Sequence, residues 1–234
     1  ETGRRLLRER EEFAVTLAHY HCELARESIR RGEVVQARRE LLDALAVHRQ
    51  SVRAMLMLAD LDAAQGRDAE VRRWLQRLAA HDSDFVPEAL PLLHRLAERG
   101  AIDVLAYLDQ VLDNSQPPMM ATVLAKADEL NRRNGISAAS NHVLAHLQQQ
   151  PSLSGLLYLI DLHKDSVEPR GYANLMILRG IVEALLVDQH KYQCQACGFS
   201  GRQLHWQCPT CHGWSTIRPL KGRELAKAGT QRFI

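Results

Sequence analysis

Two Cys-x-x-Cys pairs, Cys194/Cys197 and Cys208/Cys211, stand ten residues apart near the end of the chain. No other feature restricts its folding so sharply. Each pair can form a tight knuckle whose two sulfurs face the same point, and two knuckles at this spacing can converge four thiolates on one ion. Four sulfurs at about 2.3 Å make a closed tetrahedral site with no open position for water. So short a segment has almost no core, and metal binding must supply its folding energy. Gly198 and Gly213 suit the positive-φ positions of the knuckles, and Pro209 stiffens the second one. An S₄ site suits zinc or a single iron, so the expected cofactor is one Zn or Fe ion per chain. Disulfides or a thioredoxin-like redox pair are the other uses of such cysteines. A secreted disulfide scaffold would be shorter, with its cysteines spread along it. His190, His205 and His212 flank the site, but the four sulfurs already complete it, and these histidines are read as surface residues. The fifth cysteine, Cys22, lies alone in a helical pattern and reads as a small buried hydrophobe.

The rest of the chain repeats. Gly32, Gly66 and Gly100 fall 34 residues apart, the period of the tetratricopeptide repeat. Leu24-Ala25 precedes Gly32 as Leu58-Ala59 precedes Gly66. After the glycines, Ala37, Leu41 and Ala44 correspond to Val71, Leu75 and Leu78. The alanines let two helices approach closely, and the glycines end a helix where positive φ carries no Cβ penalty. A third copy has Leu92-Leu93 before Gly100, then Leu105 and Leu108. A fourth runs from Met119 through Gly135 to Pro151, with Leu144 and Leu147 on its second helix. A last hairpin covers about 152–189, turning at 167–171, with Leu156, Leu159, Ile160, Ile177, Ile181 and Leu185 apolar at helical spacing. The alternative to a solenoid is an irregular helical bundle. The expected architecture is all-α: a tetratricopeptide-repeat solenoid over 1–188, then a small zinc-ribbon metal knuckle over 189–222 and a basic tail over 223–234.

Composition agrees with helices. Aromatics make up only 5% of 234 residues, which disfavours sheet. A net charge of +2 is too small to imply a nucleic-acid or membrane partner by itself. The basic excess sits at the end, with seven Lys or Arg against the single acid Glu224 from His190 onward. No apolar run reaches the ~18–20 residues of a membrane span, since 177–187 is broken by Arg179, Gly180 and Glu183. No signal peptide is present, and the chain opens at Glu1 without a Met, so it reads as a fragment.

A solenoid leaves a concave surface for partners. The first-helix register puts His19, Cys22, Arg26 and Ile29 on it in one copy and Arg53, Leu56, Asp60 and Ala63 in the next. Arg26, Arg53 and Asp60 are the candidate partner contacts. The junction 188–191 is short, and the ribbon carries Phe199, Trp206 and Trp214, so it is expected to dock, on the last hairpin. Three function classes compete: a protein-binding scaffold, a nucleic-acid-binding zinc ribbon, and an enzyme. The basic tail with its nearby aromatics favours the second, but aromatics in so small a fold are usually its core. The Trp-x-Cys-Pro-x-Cys-x-x-Trp-x-Thr pattern also resembles the finger of RadA-type DNA-repair ATPases, yet no phosphate-binding loop follows. No catalytic residues are assigned, since there is no nucleophile elbow, His-Glu-x-x-His or recognisable acid pair.

Ala18-His-Tyr-His-Cys-Glu-Leu-Ala25, the repeats after it and the run 192–220 resemble the lipopolysaccharide assembly protein B family. Most distinctive is Cys-Pro-x-Cys-x-x-Trp-Ser-Thr-Ile-Arg-Pro, here 208–219. The resemblance implies a non-catalytic adaptor at the cytoplasmic face of the bacterial inner membrane. It would bring the deacetylase that commits lipid A synthesis to the membrane protease FtsH for degradation, alongside other inner-membrane lipopolysaccharide proteins. It implies Cys194, Cys197, Cys208 and Cys211 as metal ligands, no nucleic acid, possible homo-oligomers, and an N-terminal membrane anchor and further repeats upstream of Glu1.

Overall fold

The computed structural model describes residues 2–187 and 189–221, and the expected basic tail, 223–234, lies outside them. The described chain gathers into two compact units. The first holds α1 (Thr2–Arg30), α2 (Val34–Val47), α3 (Val52–Ala64), α4 (Asp68–His81), a 3₁₀ segment (Ser83–Ala89), α5 (Leu90–Glu98) and most of the cysteine ribbon. Each helix packs on the next, and α1 also reaches α3.

The repeat glycines explain the turns. Gly32, Gly66 and Gly100 have φ of +77°, +68° and +66°, values that an L side chain adopts only under strain. The residues matched between copies pack as the repeat requires. Ala25, Ala37, Leu41 and Ala44 from one pair, and Leu58, Ala59, Val71, Leu75 and Leu78 from the next, are all buried. Leu24 departs from its counterpart Leu58 and stands 53% exposed.

A polar tie that the apolar pattern does not reveal joins three helices. Asp62 on α3 is fully buried. It accepts from Arg38 Nε of α2 at 3.2 Å, Arg67 Nη2 at 2.7 Å and Trp74 Nε1 of α4 at 2.8 Å. A buried carboxylate is tolerable only with such a full set of donors.

The second unit contains α6 (Val104–Asp113), α7 (Met120–Asn134), α8 (Ile136–Gln149), α9 (Leu153–His163) and α10 (Pro169–Val187). Asp103 caps α6 by accepting from the amides of Leu105 and Ala106, which satisfies donors the helix start leaves open. Gly135, φ +84°, divides α7 from α8 as read. Ala127, Ala139 and Val143 centre a core packed by Leu124, Leu147, Tyr158 and Leu159, while Leu144 is 44% exposed. The last hairpin turns earlier than expected, through a 3₁₀ turn at Lys164–Ser166, because Pro169 starts α10, a position where proline's missing N–H costs nothing. No helix among the described residues is long and apolar enough to cross a membrane.

Candidate metal centre

The ribbon is three short strands, β1 (Tyr192–Cys194), β2 (Ser200–Gly201) and β3 (Ile217–Pro219), in the order β2-β1-β3. Its two knuckles repeat one another. In the first, the Cys194 amide donates to the Phe199 carbonyl at 2.7 Å and the Gly198 amide donates back to Cys194 at 2.9 Å. In the second, the Cys208 amide donates to Gly213 and the His212 amide to Cys208, both at 2.9 Å. Gly198 takes positive φ, +79°, as expected. In the second knuckle the matching position is one residue earlier than expected, His212 at φ +59°, because each turn reverses at the residue directly after its second cysteine. Gly213 is needed for room instead: a Cβ there would lie 2.8 Å from Thr216 Cγ2.

The four sulfurs converge. Cys194 Sγ lies 3.7 Å from Cys211 Sγ and Cys197 Sγ lies 3.6 Å from Cys208 Sγ, with all four within 4.8 Å of one another. A tetrahedron of sulfurs about 2.3 Å from a central ion has edges of about 3.8 Å, so the cluster fits one metal ion. The separations far exceed a disulfide bond of about 2 Å, and all four cysteines are free. Cys194 and Cys208 are buried, Cys197 and Cys211 exposed.

The proton balance points the same way. Thr216, with Oγ1 at 3.3 Å, and the Cys197 and Ala196 amides hold the Cys194 thiol down to about 6 against burial. At Cys197 the Phe199 amide pulls downward, but burial and hydrogen bonds to the other three sulfurs win, and it is pushed up to about 12. Four thiols this close cannot all ionise unaided, and a bound cation is what would let them. Such an ion supplies fixed cross-links and charge compensation.

The ribbon is seated on the first helices. Trp214 stacks on His19 of α1, with centroids 4.5 Å apart and planes 18° apart, and meets the edge of Tyr20 at 6.2 Å. Trp206 stacks on Phe85 of the 3₁₀ segment at 5.7 Å. His19 Nε2 and Ser215 Oγ are 2.7 Å apart. Arg218 forks onto Asp82, with Nη2 donating to Oδ1 at 2.8 Å and Nη1 to Oδ2, while its guanidinium lies 4.9 Å above the Phe85 ring. Both tryptophans thus pack on α1 and the 3₁₀ segment, where chain proximity pointed to the last hairpin, because their stacking partners and the Asp82 counter-charge lie among the first repeats.

That seat also revises the groove. His19, Cys22, Arg53 and Ala63, read as groove positions, are buried. Arg53 donates to Glu23 at 2.7 Å and is only 5% exposed, so it is not a rim charge. Arg26 and Asp60 are exposed, paired with Glu23 at 2.5 Å and with Arg95 at 2.7 Å. Burial, then the Arg53 and His48 charges, lowers His19 to about 4 and keeps its ring neutral. Burial pushes the Cys22 thiol up to about 11, the inert small hydrophobe it was read as.

Residues 192–219 match the family model of a rubredoxin metal binding domain. Beyond the ribbon, the chain is 29% identical over 211 residues to lipopolysaccharide assembly protein B of Escherichia coli (strain K12), covering 89% of this chain. The same protein of Haemophilus influenzae is 29% identical over 223 residues, or 92% of this chain. The resemblance to lipopolysaccharide assembly protein B holds. The chain spans about half, 54%, of the length of each of these relatives. A solved structure of Pseudomonas aeruginosa pilF aligns with a TM-score of 0.46 at 16% identity, covering 75% of this chain and 86% of that one.

Proposed function

We propose that this chain is a non-catalytic adaptor in lipopolysaccharide assembly, whose helical repeats hold protein partners and whose metal ribbon braces the platform they use. The observation that carries this reading is the seat. The ribbon's Trp206, Trp214 and Arg218 are spent on α1 and the 3₁₀ segment, so the ion, Zn or Fe, supports a scaffold. Four sulfur ligands leave no position at which water could be activated. The proposed partners follow from the family resemblance: the deacetylase that commits lipid A synthesis and the membrane protease FtsH, met at the cytoplasmic face of the inner membrane.

Arg26 and Asp60 are the proposed contacts, since both are exposed and their ion pairs contribute little stability. Direct binding of purified deacetylase and protease domains, at several salt concentrations and beside a single-stranded nucleic-acid control, is the test. Saturable protein binding that Arg26→Glu or Asp60→Lys weakens without unfolding the chain supports the adaptor. Steeply salt-dependent nucleic-acid binding with no protein partner would replace it with the ribbon-as-nucleic-acid-binder reading.

A further inference from the structure

A cleft of about 160 Å³ opens at the seam between the ribbon and the first repeats, away from the four sulfurs. The repeats line it with His48 and Gln50 from the corner after α2 and His81 from the end of α4. The ribbon adds Ser215 and Arg218. Asp82 is the one acid in its lining among the described residues, and both of its oxygens already accept from Arg218. The remaining polar side chains can all donate. His48, Gln50 and His81 take no part in the bonds that seat the ribbon. Arg77 lies four residues before His81, on the same face of α4. It donates to the Arg49 carbonyl, which fixes a guanidinium beside the same corner.

We propose that this cleft binds a phosphate monoester group. Two imidazoles, an amide and a hydroxyl line it from separate segments, beside the guanidinium groups of Arg77 and Arg218. Donors from several directions suit an anion with oxygens on every side better than a planar carboxylate. Ser215 Oγ can accept from His19 Nε2 at 2.7 Å and turn its own proton toward the cleft. Burial holds the His48 ring below its ordinary range; Glu11 of α1 opposes this, and His81 adds to it. Asp82 and Asp84 both face Arg218. An anion lying between the two imidazoles offsets that burial and repulsion, so each can become a charged donor. The volume is below the roughly 300–1,000 Å³ of a pocket for a drug-sized ligand, so it holds one headgroup. The organic part of the ester lies against Trp206, which Phe85 backs. Because the walls come from both ribbon and repeats, a ligand held here favours the docked form of the ribbon. The assignment is independent of which partners the repeats hold.

Inorganic phosphate and glycerol phosphate, titrated into the whole zinc-loaded chain at constant ionic strength, are the test. Calorimetry and the ring resonances of His48 and His81 read the result. Saturable binding with a Kd of about 1 mM or tighter is expected, together with a His48 midpoint that moves up. His81→Gln removes a charged donor and should weaken binding about tenfold. Gln50→Glu sets a carboxylate in the cleft and should weaken it by at least about as much. Both positions are exposed, so neither variant should melt lower without phosphate. Phosphatidylcholine vesicles carrying phosphatidic acid separate two sources of the ester. Co-sedimentation that Gln50→Glu abolishes assigns a lipid headgroup, and binding of glycerol phosphate without co-sedimentation assigns a soluble ester. No saturation by about 10 mM phosphate, or binding that both variants leave intact, overturns the proposal.

Discussion

Lowering the pH should loosen the ribbon's seat through His19. The ring is 2% exposed, stacked on Trp214 and hydrogen-bonded to Ser215. Arg53 and His48 face it with charge that opposes protonation, and Glu23 only partly offsets them. A histidine held at about 4 in the folded chain but near 6.5 when unfolded leaves the unfolded state binding more protons between those values. Stability is therefore full above pH 6.5 and falls as the pH drops toward 4, where the loss levels off. The shift corresponds to about 3 kcal/mol, a large fraction of the roughly 5–15 kcal/mol margin of a folded domain. Acid also protonates the metal thiolates, so the measurement is a difference: unfolding of the native chain against His19→Gln, which keeps a hydrogen-bonding group but does not titrate. The native chain should lose about 3 kcal/mol more than the variant between pH 7 and pH 4. A direct NMR titration of the ring placing its midpoint near 6.5, or identical pH profiles for the two proteins, would exclude His19 as the source of acid sensitivity.

Asp62→Asn should destabilise the first unit by about 1.5–3 kcal/mol, read by urea unfolding, because the charge-assisted hydrogen bonds from Arg38 and Arg67 would meet a neutral amide. Arg218→Ala should cost about 1–3 kcal/mol by removing the fork onto Asp82, and its effect should not add to that of Asp82→Ala in a double-mutant cycle. Gly213→Ala should weaken metal retention against a competing chelator, since the new methyl meets Thr216 at 2.8 Å beside the Cys194 sulfur.

The parts of this molecule that depend on local spacing were legible in its sequence. The repeat period located the turns because positive φ selects glycine at Gly32, Gly66 and Gly100, and the alanine and leucine matches located the core because close helix packing selects size. The four-sulfur cluster was legible because ligand spacing is nearly the whole of a knuckle's geometry. What was not legible depended on which distant surfaces meet. His19 looked like a groove residue because helical register alone does not say that a tryptophan 195 positions later covers it. Arg53 reads as a partner contact from helical register alone, but its pairing with Glu23 is set by burial that register does not show. Asp62 reads as one more polar residue on α3, since nothing local distinguishes a buried carboxylate from a solvated one. A signal was present in Ala18-His-Tyr-His-Cys-Glu-Leu-Ala25, where His19 stands amid small buried residues. An aromatic, polar residue in such a row needs both a stacking and a hydrogen-bonding partner.

On the proposed reading, the metal holds a ribbon whose function is to brace the first repeats. Hydrogen exchange on the whole chain, with and without a chelator that removes the ion, tests it most directly. Loss of the metal should strip protection from α1 around His19 to Cys22 and from the 3₁₀ segment around Phe85, where Trp214 and Trp206 pack. Unchanged protection in both segments, with the ribbon alone unfolding, would contradict it.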